Sequence, residues 1–151
     1  MYEIYELNLT MDPVLKARWI AALRSEGYTQ GHSTLRMDDH GDLQHYCCLG
    51  VLCDVSDEGH WTPIREDDSK LGYKMNDESI HGYGLVLEDT LSNAVLDRWG
   101  IPQETANLLM NLNDGERNDF SGDARDMDFF EIADLIESGQ FTYEPDNEDD
   151  F

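Results

Sequence analysis

The longest unbroken apolar run in the chain constrains its fold most, because such residues must be buried on all sides. It covers residues 46–53 and includes all three cysteines together with Gly50. A run of this length suits a buried strand or a short buried helix, and periodicity alone does not separate the two. It is too short to cross about 30 Å of membrane hydrocarbon. We therefore expect a central buried element, most simply a short helix, and no membrane segment.

Amphipathic patterns predict helices that pack around this element. The clearest pattern follows Asp12 and Pro13, an N-cap and a proline at the first helical position, and it ends near Gly27. Gly100 and Gly139 occupy positions where helices commonly stop. The other predicted helices cover residues 91–99, with Thr90 as the cap, residues 102–112 and residues 129–136.

The patterns that predict strands are shorter than those that predict helices. Residues 61–65 and 71–75 flank a polar connection, which predicts a hairpin, and residues 85–87 could add a strand. Residues 2–7 suit a short strand or an extended arm, whereas residues 28–44 are rich in turn-forming residues, with a short strand near residues 33–37. The predicted class is α+β: a single small domain of four to five short helices with a small antiparallel sheet, mainly within residues 61–87. We expect the domain to cover residues 1–142, followed by an acidic disordered tail at residues 143–151.

The charge of the chain is strongly negative and unevenly distributed. Acidic residues number 33 against 10 Lys and Arg, a formal net charge of −23, and residues 113–151 alone hold fourteen acids and two bases. A field of this sign repels nucleic acid and anionic lipid, and it attracts basic proteins and divalent cations. We therefore expect no direct nucleic-acid binding, no membrane binding and no cofactor, with weak divalent cation binding left open.

Four segments stand out in combination. They are WIAALRS at residues 19–25 with Tyr28 and Gln30-Gly31, YCCLGVLCD at residues 46–54, LND at residues 112–114, and FEIADLIE at residues 130–137. Together they resemble a family of small, mostly phage-encoded proteins without an assigned function. The resemblance implies a phage origin and an accessory role in an infected bacterium, but no substrate and no catalytic residue. The absence of a signal-peptide pattern and the clustered cysteines lead us to expect the bacterial cytoplasm.

Carboxylates at every third position of the last predicted helix form an acidic stripe. Like charges at this spacing repel one another, so the stripe serves either solubility or a basic partner. A dense acidic array can also imitate the phosphates of DNA, which follow one another at about 3.4 Å along each strand. The predicted partner-binding face comprises Asp119, Asp123, Asp126, Asp128, Glu131, Asp134, Glu137, Glu144 and Asp146.

The cysteine segment supports a rival hypothesis. Cys47 or Cys48 at a helix start could act as a nucleophile, with a histidine such as His81 as its base and Gln30 or Asn113 as polar support. The simpler interpretation is that all three cysteines pack as small hydrophobic side chains. Zinc is disfavoured because the candidate ligands lack paired spacing, and no metal site is predicted. Those candidates are His40, His45, Cys48, Cys53 and His60.

Three functions remain open at this point. The leading hypothesis is an acidic phage accessory protein that binds and blocks a basic surface of a host protein, for example a nucleic-acid-binding surface, as a host-takeover or anti-defence inhibitor. The alternative is a small enzyme or ligand-sequestering protein that uses residues 28–53. A third hypothesis is a subunit that associates through Trp99 and the two late helices.

Overall fold

A computed structural model describes residues 3–31, 34–38, 44–63, 70–77, 91–114 and 127–143. Within these ranges the chain forms five helices and seven short strands, so the predicted α+β class is confirmed. The helices are α1 (Pro13–Arg24), α2 (Cys48–Ser56), α3 (Asn93–Trp99), α4 (Gln103–Asp114) and α5 (Phe129–Ser138). The strands are β1 (Glu3–Glu6), β2 (Thr29–Gln30), β3 (Arg36–Asp38), β4 (Gln44–Tyr46), β5 (Gly59–Pro63), β6 (Lys70–Met75) and β7 (Gln140–Tyr143).

The apolar run forms helix α2, as expected, and this helix lies at the centre of the core. Most of its side chains are buried, and the Trp19 indole of α1 donates a hydrogen bond to the Cys48 carbonyl at 2.9 Å. A side chain at Gly50 would overlap the Leu35 carbonyl oxygen, so glycine is what allows α2 to approach this backbone. The buried hydrophobic residues form one cluster, to which all five helices contribute.

The larger sheet has five strands in the order β2-β4-β3-β6-β5. All neighbours are antiparallel except β2 and β4, which are parallel, so the sheet is mixed. Strands β5 and β6 lie where a hairpin was predicted, but three strands lie within residues 29–46, most of which were expected to be turns. These strands have two or three residues, too few for an alternating pattern to be recognised. The strand predicted at residues 85–87 lies outside the described residues.

Helix boundaries largely follow the predicted signals. Asp12 caps α1 by accepting a hydrogen bond from the Leu15 amide at 3.1 Å, and Gly100 and Gly139 end their helices in the left-handed conformation. The predicted cap of α3 is wrong. Ser92 rather than Thr90 accepts the hydrogen bond of the Val95 amide, because α3 begins at Asn93.

The two ends of the described chain pair with each other. Strand β1 lies antiparallel to β7, with Glu3 opposite Tyr143 and Glu6 opposite Gln140. The Leu7 amide continues this contact by donating to the Gly139 carbonyl at 2.9 Å. Strand β7 thus includes Tyr143, the first residue of the predicted tail, whereas the rest of that tail lies outside the described ranges. Helix α1 follows β1 and helix α5 precedes β7, and the two helices pack against each other.

Two further observations bear on the sequence-based hypotheses. None of the helices in the described ranges is long and apolar enough to cross a membrane. Trp99, proposed as part of an association surface, is only 3% exposed and packs within the core of its own chain.

Candidate functional site

The first half of the acidic stripe stabilises the start of α5. The Glu131 amide donates to the Asp128 carboxylate at 2.9 Å, and the Asp128 amide donates to the Glu131 carboxylate at 3.1 Å. This reciprocal arrangement is a capping box, which satisfies two amides that the first helical turn leaves unbonded. Asp128 and Glu131 therefore have a structural role, in addition to any role in binding.

The second half of the stripe binds Arg24 at the end of α1. The guanidinium lies 2.6 Å from Asp134 and 3.0 Å from Glu137, and its hydrogen bond lowers the pKa of the Glu137 carboxyl. Both carboxylates stay accessible, with side chains that are 75% and 61% exposed. One positive charge is shared by two negative ones, so the cluster of Arg24, Asp134 and Glu137 keeps a net negative charge.

The other members of the predicted acidic face are Asp119, Asp123, Asp126, Glu144 and Asp146. They lie outside the described residues, so the structure brings together only the four carboxylates of the α5 stripe.

A groove of about 270 Å³ lies between the end of α1 and the start of α5. Leu23, Phe129 and Phe130 supply apolar lining, and Glu26, Gln30 and Asp128 supply polar groups. Phe130 is 47% exposed, which is unusual for a large apolar side chain in this molecule. No sequence pattern predicts the groove, because its lining residues lie about a hundred positions apart.

A buried amide lies next to this groove and joins three elements. The Asn113 side-chain oxygen accepts hydrogen bonds from Gln30 Nε2 at 3.0 Å and from the Cys48 amide at 3.2 Å. The Asn113 side-chain nitrogen donates to the Gly31 carbonyl at 2.9 Å. Asn113 thus contacts the backbone of Cys48 and not its thiol, whose sulfur lies 3.6 Å from the Leu109 carbonyl oxygen. The proposed base, His81, falls outside the described ranges.

The environment of the cysteines favours packing over reactivity. All three thiols are buried, and burial raises the pKa of Cys47 to about 12 and those of Cys48 and Cys53 well above the usual thiol value. Cys47 caps α2 through its sulfur, which accepts the Gly50 amide at 3.4 Å. A nucleophile has to form an accessible thiolate, and this environment disfavours that form.

Metal coordination receives no support from the part of the chain that the structure describes. No group of three or more His, Cys, Asp or Glu side chains there could hold a metal ion. Of the five zinc candidates, His40 lies outside these ranges.

A layer of aromatic side chains covers α2 on the side of the sheet. Tyr28 and Trp61 both donate to the Asp54 carboxylate, at 2.6 Å and 3.0 Å, and Tyr46 packs edge-on against both rings. Burial and the Asp54 carboxylate raise the pKa of the Tyr28 hydroxyl. Arg36 lies over Tyr46 and Trp61, 5.4 Å from each ring centroid. The sequence-based prediction did not include this layer. A charged residue directly after the apolar run, Asp54, was the feature that could have indicated a polar contact there.

A second cavity lies beside the buried amide. It has a volume of about 420 Å³ and is lined by Gln30, Gly31, Thr34, Met37 and His45. Its residues belong to the segment of residues 28–53 that the rival hypothesis singled out. The donor and acceptor groups of Gln30, Thr34 and His45 suit a small polar ligand.

Comparison with known proteins gives one match. A family model described as a domain of unknown function (DUF8296) matches residues 11–140. The match includes α1 to α5, the capping box, the Arg24 cluster and both cavities, whereas β1 and all of β7 except Gln140 lie outside it. No curated protein and no solved structure matches the chain.

Proposed function

The chain belongs to the family of this domain of unknown function (DUF8296), and from its surface we propose that it is an acidic accessory protein that binds and blocks a basic surface of another protein. The resemblance of its sequence to phage-encoded proteins supports a phage origin, with a host protein as the partner. The binding would then take place in the cytoplasm of an infected bacterium, in host takeover or in the inhibition of a defence system.

The exposed carboxylates of α5 carry this proposal. Asp134 and Glu137 are held in place by Arg24, yet both remain largely open to solvent. Exposed ion pairs of this kind contribute only about 0–1 kcal/mol, so a basic partner can replace or share the Arg24 contact at little cost. The net charge of −23 would also steer a basic partner toward the protein and speed their encounter.

The spacing of the stripe is consistent with a partner that normally binds nucleic acid. Residues three positions apart rise about 4.5 Å along a helix. Successive phosphates of one DNA strand rise about 3.4 Å. The α5 carboxylates therefore offer a partner with a phosphate-binding surface a similar series of negative charges.

The test is affinity capture from nuclease-treated bacterial lysate across a series of NaCl concentrations. We expect the wild-type protein to retain basic host proteins at low salt and to release them as salt rises, because salt screens exposed charges. The double variant Asp134→Asn, Glu137→Gln should retain them less well. Equal capture by the wild type and this variant at every salt concentration would contradict the proposal.

A matched control comes from two exposed acids on other helices. The double variant Asp97→Asn, Glu104→Gln also removes two negative charges, but from α3 and α4, and it should capture the same proteins as the wild type. Asp128 and Glu131 are left unchanged in both variants, because loss of the capping box would weaken α5 and confuse binding with folding. Circular dichroism and thermal melting of each variant check that the fold is retained.

A second candidate function is the sequestration or conversion of a small polar ligand. The cavity of about 420 Å³ beside Gln30 and His45 supports it. The probe is the low-molecular-weight fraction of a bacterial extract, added to ¹⁵N-labelled protein. Shifts of the Gly31 and His45 amide signals that disappear in His45→Ala but persist in His60→Ala would support this function, and an unchanged spectrum would count against it.

A further inference from the structure

The groove between α1 and α5 has the composition of a site for a single basic side chain. We propose that it receives an arginine side chain of the basic partner. This inference rests on the proposed function and adds a specific contact to it. The volume of about 270 Å³ lies below the roughly 300–1,000 Å³ of small-molecule sites, and so suits one long side chain better than a cofactor.

The apolar lining matches the stem of such a side chain. Long basic residues bury their methylene groups along apolar surfaces and keep their charged ends near polar groups. Leu23, Phe129 and Phe130 provide the apolar surface, and the Phe130 side chain remains 47% exposed. Two other large hydrophobic side chains in the described ranges are similarly exposed, Ile4 and Val14, but neither lines this groove.

The charged lining matches the end of the side chain. Glu26 and Asp128 both line the groove, one from the α1 side and one from the α5 side. The C-terminal end of α1 adds partial negative charge, which Arg24 in its last turn partly offsets, and the carboxylates of Asp128 and Glu131 oppose the partial positive charge at the start of α5. The electrostatic environment of the groove therefore favours a cation.

The aromatic lining favours arginine over lysine. A guanidinium is planar, stacks on aromatic rings and binds carboxylates through two parallel hydrogen bonds, whereas an ammonium is compact and strongly hydrated. The groove offers both kinds of group, since two phenylalanine rings and two carboxylates line it. The Asp134 and Glu137 pair lies further along the same helix, so a basic partner attracted by that pair is brought close to the groove.

The test uses arginine itself as the probe. N-acetyl-L-arginine N-methylamide is titrated into the ¹⁵N-labelled full chain, with the citrulline analogue, a neutral molecule of nearly the same shape, as the matched control. We expect saturable shifts of the Tyr28, Gln30 and Phe130 amide signals with the arginine compound and none with the citrulline compound. Equal shifts with both, or no saturable shifts with arginine, would overturn the proposal.

Variants identify the groups responsible. The double variant Glu26→Gln, Asp128→Asn should weaken arginine binding about tenfold, the equivalent of about 1.4 kcal/mol. Asparagine at position 128 keeps an oxygen that accepts the Glu131 amide, so the capping box is preserved, and glutamine leaves the side-chain size at position 26 unchanged. The fold should therefore be retained. Phe130→Ala, at an exposed position, should weaken binding without affecting folding.

The outcome is separable from that of the proposed function. Asp134→Asn, Glu137→Gln should leave arginine binding in the groove unchanged while reducing capture from lysate. If this variant loses capture but arginine never shifts the groove signals, the acidic surface is supported and the groove proposal fails. If arginine binds the groove but the wild type captures no basic protein, the proposed function fails instead.

Discussion

At the scale of single residues, Asn113 holds together elements that are distant in sequence. Its side chain is fully buried and bonds Gln30, the Gly31 carbonyl and the Cys48 amide. Asn113→Ala removes the partner of the buried Cys48 amide and of the partly buried Gly31 carbonyl, and a fully buried group without a partner costs about 1–3 kcal/mol. We therefore expect a loss of about 2–4 kcal/mol in the free energy of unfolding, measured by urea denaturation.

The comparison variant is Gln30→Ala. Gln30 is only partly buried, and its loss removes the hydrogen bonds that Nε2 donates to Asn113 and to the Met127 carbonyl. The free energy of unfolding of this variant should therefore fall by about 1 kcal/mol. Equal losses in the two variants would show that Asn113 is not the centre of this network.

The buried thiols predict a loss of stability at alkaline pH. Burial raises the pKa of Cys47 from 9.0 to about 12, and the pKa values of Cys48 and Cys53 rise as well, because the folded state disfavours the thiolate. Above pH 9 the unfolded chain loses these protons while the folded chain keeps them, so rising pH favours unfolding. Each thiol then lowers the free energy of unfolding by about 1.4 kcal/mol per pH unit.

The measurement is urea denaturation at a series of pH values. The thiol contribution should be constant well below pH 9 and should decrease from there toward pH 12. The tyrosines of the unfolded chain are already half ionised at about pH 10, so the thiols dominate the slope between about pH 8.5 and 9.5. Cys53→Ala should make the slope in that interval shallower by about one third, and an unchanged slope would contradict this explanation.

At the scale of elements, the packing of α2 depends on a glycine. A Cβ atom at Gly50 would overlap the Leu35 backbone, so Gly50→Ala has to displace either the helix or the strand region beside it. We expect a loss of at least about 3 kcal/mol, or failure to fold, as measured by thermal melting and soluble yield.

Gly139 provides a matched comparison. It ends α5 with a φ of 78°, and no atom lies within 4 Å of a Cβ built there. Gly139→Ala should therefore cost only the strain of the left-handed conformation, about 1 kcal/mol. If the Gly50 and Gly139 variants melt at the same temperature, close packing of α2 is not what requires glycine.

The elements that could be predicted from sequence are those whose signals are local. Helix α1 has its cap and proline side by side at Asp12 and Pro13, and α2 coincides with the apolar run. Strand β3 overlaps the short strand expected near residues 33–37, whereas β2 and β4, with two and three residues, contain too little sequence to reveal them. The capping box at Asp128 and Glu131 was present as an acid followed three residues later by Glu, but the same spacing was interpreted as a binding stripe.

The candidate site was less predictable than the fold. The α5 stripe was recognised as an exposed acidic surface, but its contact with Arg24 joins residues 110 and 113 positions apart. The groove beside Phe130 is likewise formed by residues distant in sequence, because α1 and α5 meet only after folding. No periodicity within a single segment reports a contact of this kind.

At the scale of the whole molecule, a net charge of −23 should make stability depend on salt. Repulsion among the carboxylates opposes the compact state, and salt shortens its range from about 30 Å at 0.01 M to about 10 Å at 0.1 M. Salt also screens the exposed Arg24 ion pairs, but these contribute less to stability than the repulsion among the carboxylates removes. We expect the melting temperature to rise by several degrees over this range of NaCl.

Tetramethylammonium chloride is the control for ion type. An equal rise in this salt supports general screening, whereas a rise only with sodium indicates a specific ion site. A larger rise with dilute MgCl₂ would support the weak divalent cation binding expected from the sequence. A melting temperature that falls with salt would show that ion pairs outweigh repulsion.

The pairing of β1 with β7 has a consequence for synthesis on the ribosome. Strand β1 emerges first, yet its partner is separated from it by more than a hundred residues of sequence. Until β7 emerges, the backbone groups of β1 lack the strand that satisfies them, and the α1 surface that α5 covers is also open. Such distant contacts form slowly because a long loop has to be closed. The nascent chain therefore completes this pairing only after β7 has been translated, and until then its negative charge opposes aggregation.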